Sequence, residues 1–201
     1  MCDYGQMQLP ETWMNELARR YSEPHRRYHT LTHITELLSL LDEFELDDRD
    51  SVEAAVWFHD AIYDTHASDN EARSADLAET ALRELRFPNI EAVRAMIVAT
   101  ASHDAAALTR DGRLFLDADL SILGSPPERY REYAEAIRGE YEWVPRPQFA
   151  AGRSAILRRL LERPALYLTA EMQARFEAQA RENVARELTA LAQDDPNNRS
   201  A

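Results

Sequence analysis

Apolar residues recur at spacings of three and four along most of the chain, which is the pattern of amphipathic helices that bury one face. The chain contains only five glycines, so few positions interrupt this periodicity. The pattern predicts an all-α fold, a helical bundle without a substantial sheet. The helices are expected over residues 10–21, 28–44, 51–64, 69–85, 88–100, 114–123, 127–141, 147–161 and 164 or 169–191.

The apolar segment 114–123 is the one whose composition could also form a strand. Asp117 and Asp119 make a strand less favourable, because aspartate is depleted in strands. Gly124 and two prolines follow the segment and end it. We therefore expect a short buried helix at this position.

The length of 201 residues is sufficient for one substantial core and favours one domain over two. We expect the core at about 20–125, additional C-terminal helices at about 126–192, and a frayed polar tail at 193–201. The C-terminal helices are rich in tyrosine and arginine. They could cover the core or form a homodimer, and the periodicity leaves both alternatives open.

The composition excludes several classes of protein. Hydrophobic residues make up 45% and charged residues 29%, as in a globular domain. No apolar run is long enough to span a bilayer and the N-terminus lacks a signal-peptide pattern, so we expect a cytoplasmic protein that does not bind membranes. The formal net charge of -13 argues against a broad nucleic-acid interface, because such an interface needs clustered cations.

Residue usage also limits the chemistry. Cys2 is the only cysteine, so a single chain can form neither a disulfide framework nor a cysteine metal cluster. Any metal must therefore be held by histidine and carboxylate side chains. The sequence contains no lysine, which removes a Schiff-base mechanism and leaves arginine to recognise an anionic substrate.

The histidines His29 and His33 are spaced four residues apart, so their side chains share one face if the helix has already begun. Either side chain could ligate a metal. Without a partner carboxylate this spacing is a weak signal. A pair that caps or lines a helix is the better interpretation of this segment alone.

His59 and Asp60 are consecutive within the apolar stretch 56–63, which we predict to lie inside a helix. Burying an imidazole and a carboxylate without partners would cost about a few kcal/mol. A metal ion lying over the groove between them would satisfy both side chains. A core histidine beside an aspartate that pairs with arginine explains the segment about equally well.

Asp117 and Asp119 repeat this anomaly in the apolar segment 114–123. Two buried anions so close together require a cation. Helix capping would account for Asp117, but it does not account for Asp119 as well.

A histidine, a His-Asp pair and a downstream aspartate in this order resemble the HD-domain superfamily, and in particular the bacterial HD-domain proteins described as predicted metal-dependent phosphohydrolases. The resemblance covers nearly the whole chain. It is carried by segments 21–29, 57–64, 70–71, 74–75, 115–124, 152–153 and 180–183, and by Tyr141, Phe149 and Arg163.

The resemblance implies an HD-domain-like helical bundle whose metal ligands are His33, His59, Asp60 and Asp119. Asp119 is preferred to Asp117 because it occupies the Ala-Asp-x-Leu position. Two imidazoles and two carboxylates suit Mn, Fe, Zn, Ni or Co, and Mg is also compatible with the site. The sequence therefore predicts a divalent metal ion as the cofactor.

The activity implied by the resemblance is hydrolysis of a small phosphorylated molecule, with a nucleotide as one candidate. A bound metal would make hydroxide available near neutral pH and polarise a phosphoryl oxygen. Asp60 or Asp64 would orient the attacking water or accept its proton. We expect Arg26 and Arg153 to bind phosphate. His103 would contact substrate or a second metal, and a cationic His103 at a helix end is an equally good interpretation.

His29 and Asp117 are expected to support the ligands rather than to bind the metal. Two other functions stay open at this point. A di-metal oxygenase of the same fold would need further histidine ligands, which His29 and His103 could supply. A regulatory protein could keep the metal site and sense a ligand, such as a nucleotide, without turnover.

Overall fold

The structure is a computed structural model that describes residues 9–193, and within that range it contains nine α-helices, one short 3-10 helix and no strand. The predicted all-α fold class is confirmed. None of the helices in the described range combines the length and the apolar character needed to cross a membrane. Cys2 and residues 194–201 of the predicted tail lie outside the described residues.

The chain divides into two compact units, with the boundary between Asp119 and Leu120. The single domain with its core at about 20–125 stays a prediction. The first unit contains α1 (Glu11–Arg20), α2 (Leu31–Leu41), α3 (Arg49–Phe58), α4 (Asn70–Glu84), α5 (Ile90–Thr100) and α6 (Arg110–Asp119). The second unit contains the 3-10 helix (Leu120–Gly124), α7 (Pro127–Glu140), α8 (Arg146–Glu162) and α9 (Ala170–Gln193).

The central helix of the first unit is α3, which packs against α2, α4, α5 and α6. Small and apolar side chains cover most of its surface, and Val52, Val56 and Phe58 are buried. Asp48 caps the helix, because its carboxylate accepts a hydrogen bond from the backbone N–H of Ser51. The residues that follow α3 therefore start from the core of the unit.

The end of α3 corrects one prediction, because the helix stops at Phe58 instead of continuing to residue 64. His59 and Asp60 therefore follow the helix rather than lying inside it. The backbone that comes next is bound by side chains from elsewhere in the unit. Arg26 donates to the carbonyl oxygens of residues 60 and 61, and the Ser74 hydroxyl bonds both backbone groups of residue 62. These side-chain bonds take the place of the backbone hydrogen bonds that a longer α3 would form.

Two further boundaries differ from the predictions. α2 begins at Leu31 rather than at residue 28, because Thr30 is extended, with φ -119° and ψ 179°. His29 therefore lies before the helix, not on its face. The predicted helix over 114–123 belongs to two elements, since α6 begins at Arg110 and gives way to the 3-10 helix at Leu120.

The second unit is built on α9, which packs against α8 and the 3-10 helix. Gly124 lies where α9 passes close by, because a Cβ atom there would lie 2.6 Å from Phe176 Cβ and 2.8 Å from the Phe176 carbonyl oxygen. Asn183 of α9 is buried and donates to the carbonyl oxygens of Leu123 and Ser125, at 2.9 and 2.8 Å. These contacts fix the 3-10 helix against α9.

Candidate metal centre

Three segments of the first unit bring four predicted ligands together. His33 lies in the first turn of α2, His59 and Asp60 follow the end of α3, and Asp119 is the last residue of α6. Both histidines are 1% exposed, and the two aspartate side chains are 16 to 17% exposed. The cluster therefore has a buried floor of imidazoles and a carboxylate edge that reaches solvent.

The two histidines face each other through their Nε2 atoms, which are 3.3 Å apart. Asp60 Oδ2 lies 3.0 Å from His59 Nε2 and 3.8 Å from His33 Nε2. Asp119 Oδ1 lies 3.2 Å from His33 Nε2 and 3.6 Å from His59 Nε2. One potential ligand atom from each of His33, His59 and Asp60 lies within 4.8 Å of the others.

These separations fit a metal ion. Nitrogen and oxygen ligands bind first-row metals at about 2.0 to 2.2 Å, so neighbouring ligand atoms lie roughly 3.0 to 3.4 Å apart. The group His33, His59 and Asp60 could therefore hold a metal ion, and its two imidazoles and one carboxylate are typical donors for transition metals. Asp119 Oδ1 lies at a comparable distance from both imidazoles.

Hydrogen bonding fixes which nitrogen of His59 is available. His59 Nδ1 lies 2.9 Å from the carbonyl oxygen of Val56, and a carbonyl can only accept, so Nδ1 carries the proton. The neutral ring then presents the lone pair of Nε2 to the cluster. His33 Nδ1 is buried and has no hydrogen-bond partner among the described residues.

The pKa shifts in the cluster also indicate that the two carboxylates need a positive charge beside them. Burial opposes ionisation of Asp60 and Asp119, but the neighbouring histidines outweigh it and hold the pKa of both carboxyls below the usual range. Burial likewise opposes protonation of His59, yet the two aspartates raise its pKa well above 6.5. The carboxylates are therefore ionised, and either a proton on His59 or a metal ion must balance them.

His29 and His103 lie at the edge of the cluster, each beside a different carboxylate. His29 Nε2 lies 3.9 Å from Asp60 Oδ2, and His103 Nε2 lies 3.3 Å from Asp119 Oδ2. His103 has a left-handed backbone with φ 52°, in the turn that follows α5. The supporting role of His29 and the substrate or metal role of His103 stay predictions, and each of the two residues lies next to one of the proposed carboxylate ligands.

Arg26 has a different environment from the one expected of a phosphate-binding residue. Its side chain is 0% exposed, and its guanidinium donates to the Glu23 carboxylate and to the carbonyl oxygens of His29, Asp60 and Ala61. The predicted binding of substrate phosphate finds no support in these contacts, because the donors that phosphate would use are directed at the protein.

The other predicted residues lie in three places. Asp64 is exposed, and its carboxylate accepts the backbone N–H of His66 at 2.9 Å. Asp117 is buried in α6, two residues before Asp119. Arg153 belongs to the second unit, where it donates to both carboxylate oxygens of Glu187 at 2.8 and 3.2 Å. The roles assigned to these three residues stay predictions.

Sequence reasoning missed two hydroxyl groups that hold the residues around the His-Asp pair. The buried Tyr21 donates from its hydroxyl to the carbonyl oxygen of Trp57 at 2.9 Å. Ser74 Oγ accepts the backbone N–H of Ile62 at 3.0 Å. Both residues lie in segments that carry the family resemblance, but a bond to a distant backbone carbonyl or N–H leaves no spacing pattern in the sequence.

Comparisons of the chain with protein-family models, with curated proteins and with solved structures found no match. Membership of the HD-domain superfamily therefore stays a prediction that rests on the sequence motifs. The geometry of the cluster is the independent basis for a functional proposal.

Proposed function

We propose that the protein is a metal-dependent phosphohydrolase of the HD-domain type that acts on a small phosphorylated molecule, with a nucleotide as the first candidate. The observation that carries the proposal is the convergence of the Nε2 atoms of His33 and His59 with the carboxylates of Asp60 and Asp119. These four residues have the order and identity of the metal ligands in the superfamily that the sequence resembles.

A divalent ion such as Mn, Fe, Zn, Ni or Co at this cluster would supply a Lewis acid that makes hydroxide available and polarises a phosphoryl oxygen. The two carboxylates would balance the charge of the ion, and the buried imidazoles would supply neutral donors. His103 holds Asp119 Oδ2, which fixes the direction of that carboxylate. Asp60 is 17% exposed, so water at the edge of the cluster can reach its carboxylate, which would orient that water.

A di-metal oxygenase is the second candidate, and the positions of His29 and His103 favour it. Each histidine lies next to one of the two carboxylates, at 3.9 Å from Asp60 Oδ2 and 3.3 Å from Asp119 Oδ2. Donors for a second ion would need this kind of placement, because carboxylates can bridge two metals. Molecular oxygen and a small organic substrate would then replace water and a phosphate ester as reactants, and iron would be the bound metal.

Metal analysis of the purified protein, followed by a phosphatase screen of the metal-loaded form, tests the proposal. The screen covers nucleotides, sugar phosphates and a chromogenic phosphate ester. We expect a bound divalent metal and release of phosphate from at least one class. His59→Ala should lose both properties. His66→Ala is the matched control, since it changes an exposed histidine of the same unit, and it should keep both.

The remaining outcomes separate the alternatives. Metal-loaded protein that releases phosphate from none of these compounds would contradict the proposal. Oxygen consumption by the iron-loaded protein with a small organic substrate would favour the oxygenase. Tight binding of a nucleotide without either activity would favour a regulatory protein.

A further inference from the structure

Arg26 is a buried cation that lies directly behind the His-Asp pair. Its guanidinium lies over two aromatic rings, 5.1 Å from the ring centroid of Tyr21 and 5.3 Å from that of Tyr63. Its Nε donates to the Glu23 carboxylate at 3.1 Å. A charge removed from water in this way is stable only if its N–H donors have acceptors. The acceptors of the remaining N–H groups therefore indicate the role of this side chain.

Those N–H groups bind backbone carbonyls on two different segments. Nη1 donates to the carbonyl oxygen of His29 at 3.1 Å and to that of Asp60 at 2.8 Å, and Nη2 donates to that of Ala61 at 3.3 Å. One guanidinium thus connects the segment that leads into α2 with the turn that carries the aspartate ligand. The bonds reach the ligand residue through its main chain, so they set the position from which the Asp60 carboxylate extends.

Neighbouring residues satisfy the other carbonyl groups at the end of α3. The carbonyl oxygen of Val56 accepts from His59 Nδ1, that of Trp57 accepts from the Tyr21 hydroxyl, and that of Phe58 accepts from the backbone N–H of Ala61. The carbonyls of residues 60 and 61 lie beyond the helix and receive their donors from Arg26. Arg26 therefore supplies the donors for two carbonyl groups of the turn that would otherwise be unsatisfied close to the core.

We infer that Arg26 is a positioning residue that holds the His59-Asp60 turn against the His29 segment and thereby sets the metal affinity and ligand geometry of the cluster. This inference rests on the proposed metal centre. Only arginine has the planar fork that can reach three carbonyls and a carboxylate from one side chain, whereas lysine offers one compact ammonium group. We call the bonds from the Arg26 guanidinium to the carbonyl oxygens of His29, Asp60 and Ala61 the clamp. Arg26→Lys should keep the positive charge and lose the clamp.

Cobalt titration of the full chain tests the inference, with the dissociation constant from chelator competition and the ligand geometry from the visible absorption of bound Co²⁺. Arg26→Lys should weaken Co²⁺ binding by about 10 to 100-fold, the usual effect of a residue that supports metal ligands. It should also shift the absorption bands at saturating Co²⁺. A change in stability alone would move neither quantity in the folded protein.

Arg138 provides a matched control in the second unit. Its guanidinium also donates to backbone carbonyls, those of Tyr141, Glu142 and Val144, and it lies 4.8 Å from the ring centroid of Phe149. Arg138→Lys removes the same kind of clamp from a segment that carries none of the four proposed ligands. It should leave the Co²⁺ dissociation constant and the absorption bands unchanged.

Glu23→Ala is the milder variant if Arg26→Lys does not fold, because the Glu23 side chain is 30% exposed and binds the Nε–H of Arg26, not the donors that reach the carbonyl groups. It should weaken Co²⁺ binding by roughly 2 to 10-fold, the range for one hydrogen bond. Unchanged Co²⁺ affinity and absorption bands in folded Arg26→Lys protein would overturn the role of Arg26 while leaving the proposed function intact. If Arg26→Lys does not fold, the same result for Glu23→Ala would overturn it. Wild-type protein that binds no Co²⁺ would overturn both.

Discussion

His59 is the centre of the cluster because both of its ring nitrogens have defined neighbours. Nδ1 donates to the carbonyl oxygen of Val56, and Nε2 faces Asp60 at 3.0 Å and His33 at 3.3 Å. The hydrogen bond on one side orients the ring, so the lone pair on the other side points at the carboxylates. A proton and a metal ion therefore compete for the same nitrogen.

The metal-free protein should lose stability as the pH rises through the raised pKa of His59. That pKa lies well above 6.5 in the folded protein, because the aspartates outweigh the opposing effect of burial. His59 contributes its full proton-linked stability below about pH 6.5, the value for an unfolded chain, and loses it as the pH passes the folded value. Denaturation of chelator-treated protein from about pH 6 to about pH 10 measures the loss.

Asp60 and Asp119 do not contribute to this loss. Their pKa values are lowered, so their contribution is present above the ordinary carboxyl value and disappears only in acid. His59→Asn is the control, since it lacks the titrating ring and should show a flatter profile. Identical profiles for the wild type and His59→Asn over this range would contradict the account of the cluster.

Asp60→Asn should lower metal affinity by more than about 100-fold, beyond the usual effect of residues that only support ligands. The substitution removes a charged donor and keeps the shape of the side chain, so circular dichroism should show a folded protein. Calorimetric titration with Mn²⁺ or Co²⁺ measures the affinity. A variant with wild-type affinity would show that Asp60 is not a ligand.

Asp64→Asn is the comparison for that experiment. Asp64 is exposed and bonds the backbone N–H of His66, so the variant should keep its metal. If Asp64 accepts the proton of the attacking water, turnover should fall in a protein that retains full metal content. If turnover is unchanged, Asp64 does not accept that proton.

At the level of helices, the sequence predicts their number and type better than their ends. The helical period continues through residues 61 and 62, both apolar, and no glycine or proline marks the end of α3 at Phe58. The helix ends there because the Arg26 guanidinium and the Ser74 hydroxyl bind the next backbone groups. Long-range bonds of this kind override local propensity and cannot be seen in the periodicity.

Two glycines of the second unit should respond oppositely to alanine. A Cβ atom at Gly124 would lie 2.6 Å from Phe176 Cβ and 2.8 Å from the Phe176 carbonyl oxygen, so Gly124→Ala should destabilise by about 1 to 3 kcal/mol or more. Gly152 lies inside α8, where a Cβ atom would have nothing within 4 Å. Gly152→Ala should be neutral or stabilise by about 0.5 to 1 kcal/mol.

Urea denaturation of both variants measures the difference. The pair is matched, because each variant adds one methyl group to the same unit. Equal stabilities would contradict the close approach of α9 to the 3-10 helix.

At the level of the whole molecule, the sequence predicts the proposed metal ligands better than the contacts that surround them. His59, Asp60 and Asp119 are polar residues in apolar segments, His33 is assigned through the family resemblance, and the structure brings all four together. Arg26 has no such mark, because the carbonyl groups that it binds belong to every residue type alike. The resemblance suggests which residues belong to the site, but only the folded structure shows that the Arg26 side chain donates to backbone carbonyl oxygens.

The second unit contains its own buried polar network. Arg153 donates to both oxygens of Glu187 and to the Tyr133 hydroxyl, and Tyr130 donates to the same glutamate. The side chains of the ion pair are 10% and 11% exposed. Removing either partner would leave the other charge buried without its counter-ion.

Arg153→Ala should therefore keep full metal content and destabilise the protein by about 3 to 5 kcal/mol, the range for breaking a buried ion pair. Metal analysis and urea denaturation measure the two effects. A variant of wild-type stability with a lowered kcat/KM would point instead to the predicted role of Arg153 in phosphate binding.

The central claim is that His33, His59, Asp60 and Asp119 hold one metal ion, and anomalous diffraction at the absorption edge of a bound metal tests it most directly. Crystals of the Mn²⁺- or Zn²⁺-loaded protein should show an anomalous peak between the two Nε2 atoms and the two carboxylates, about 2.0 to 2.3 Å from the ligand atoms. A peak elsewhere, or no peak among the four side chains in crystals grown with saturating metal, would contradict the claim.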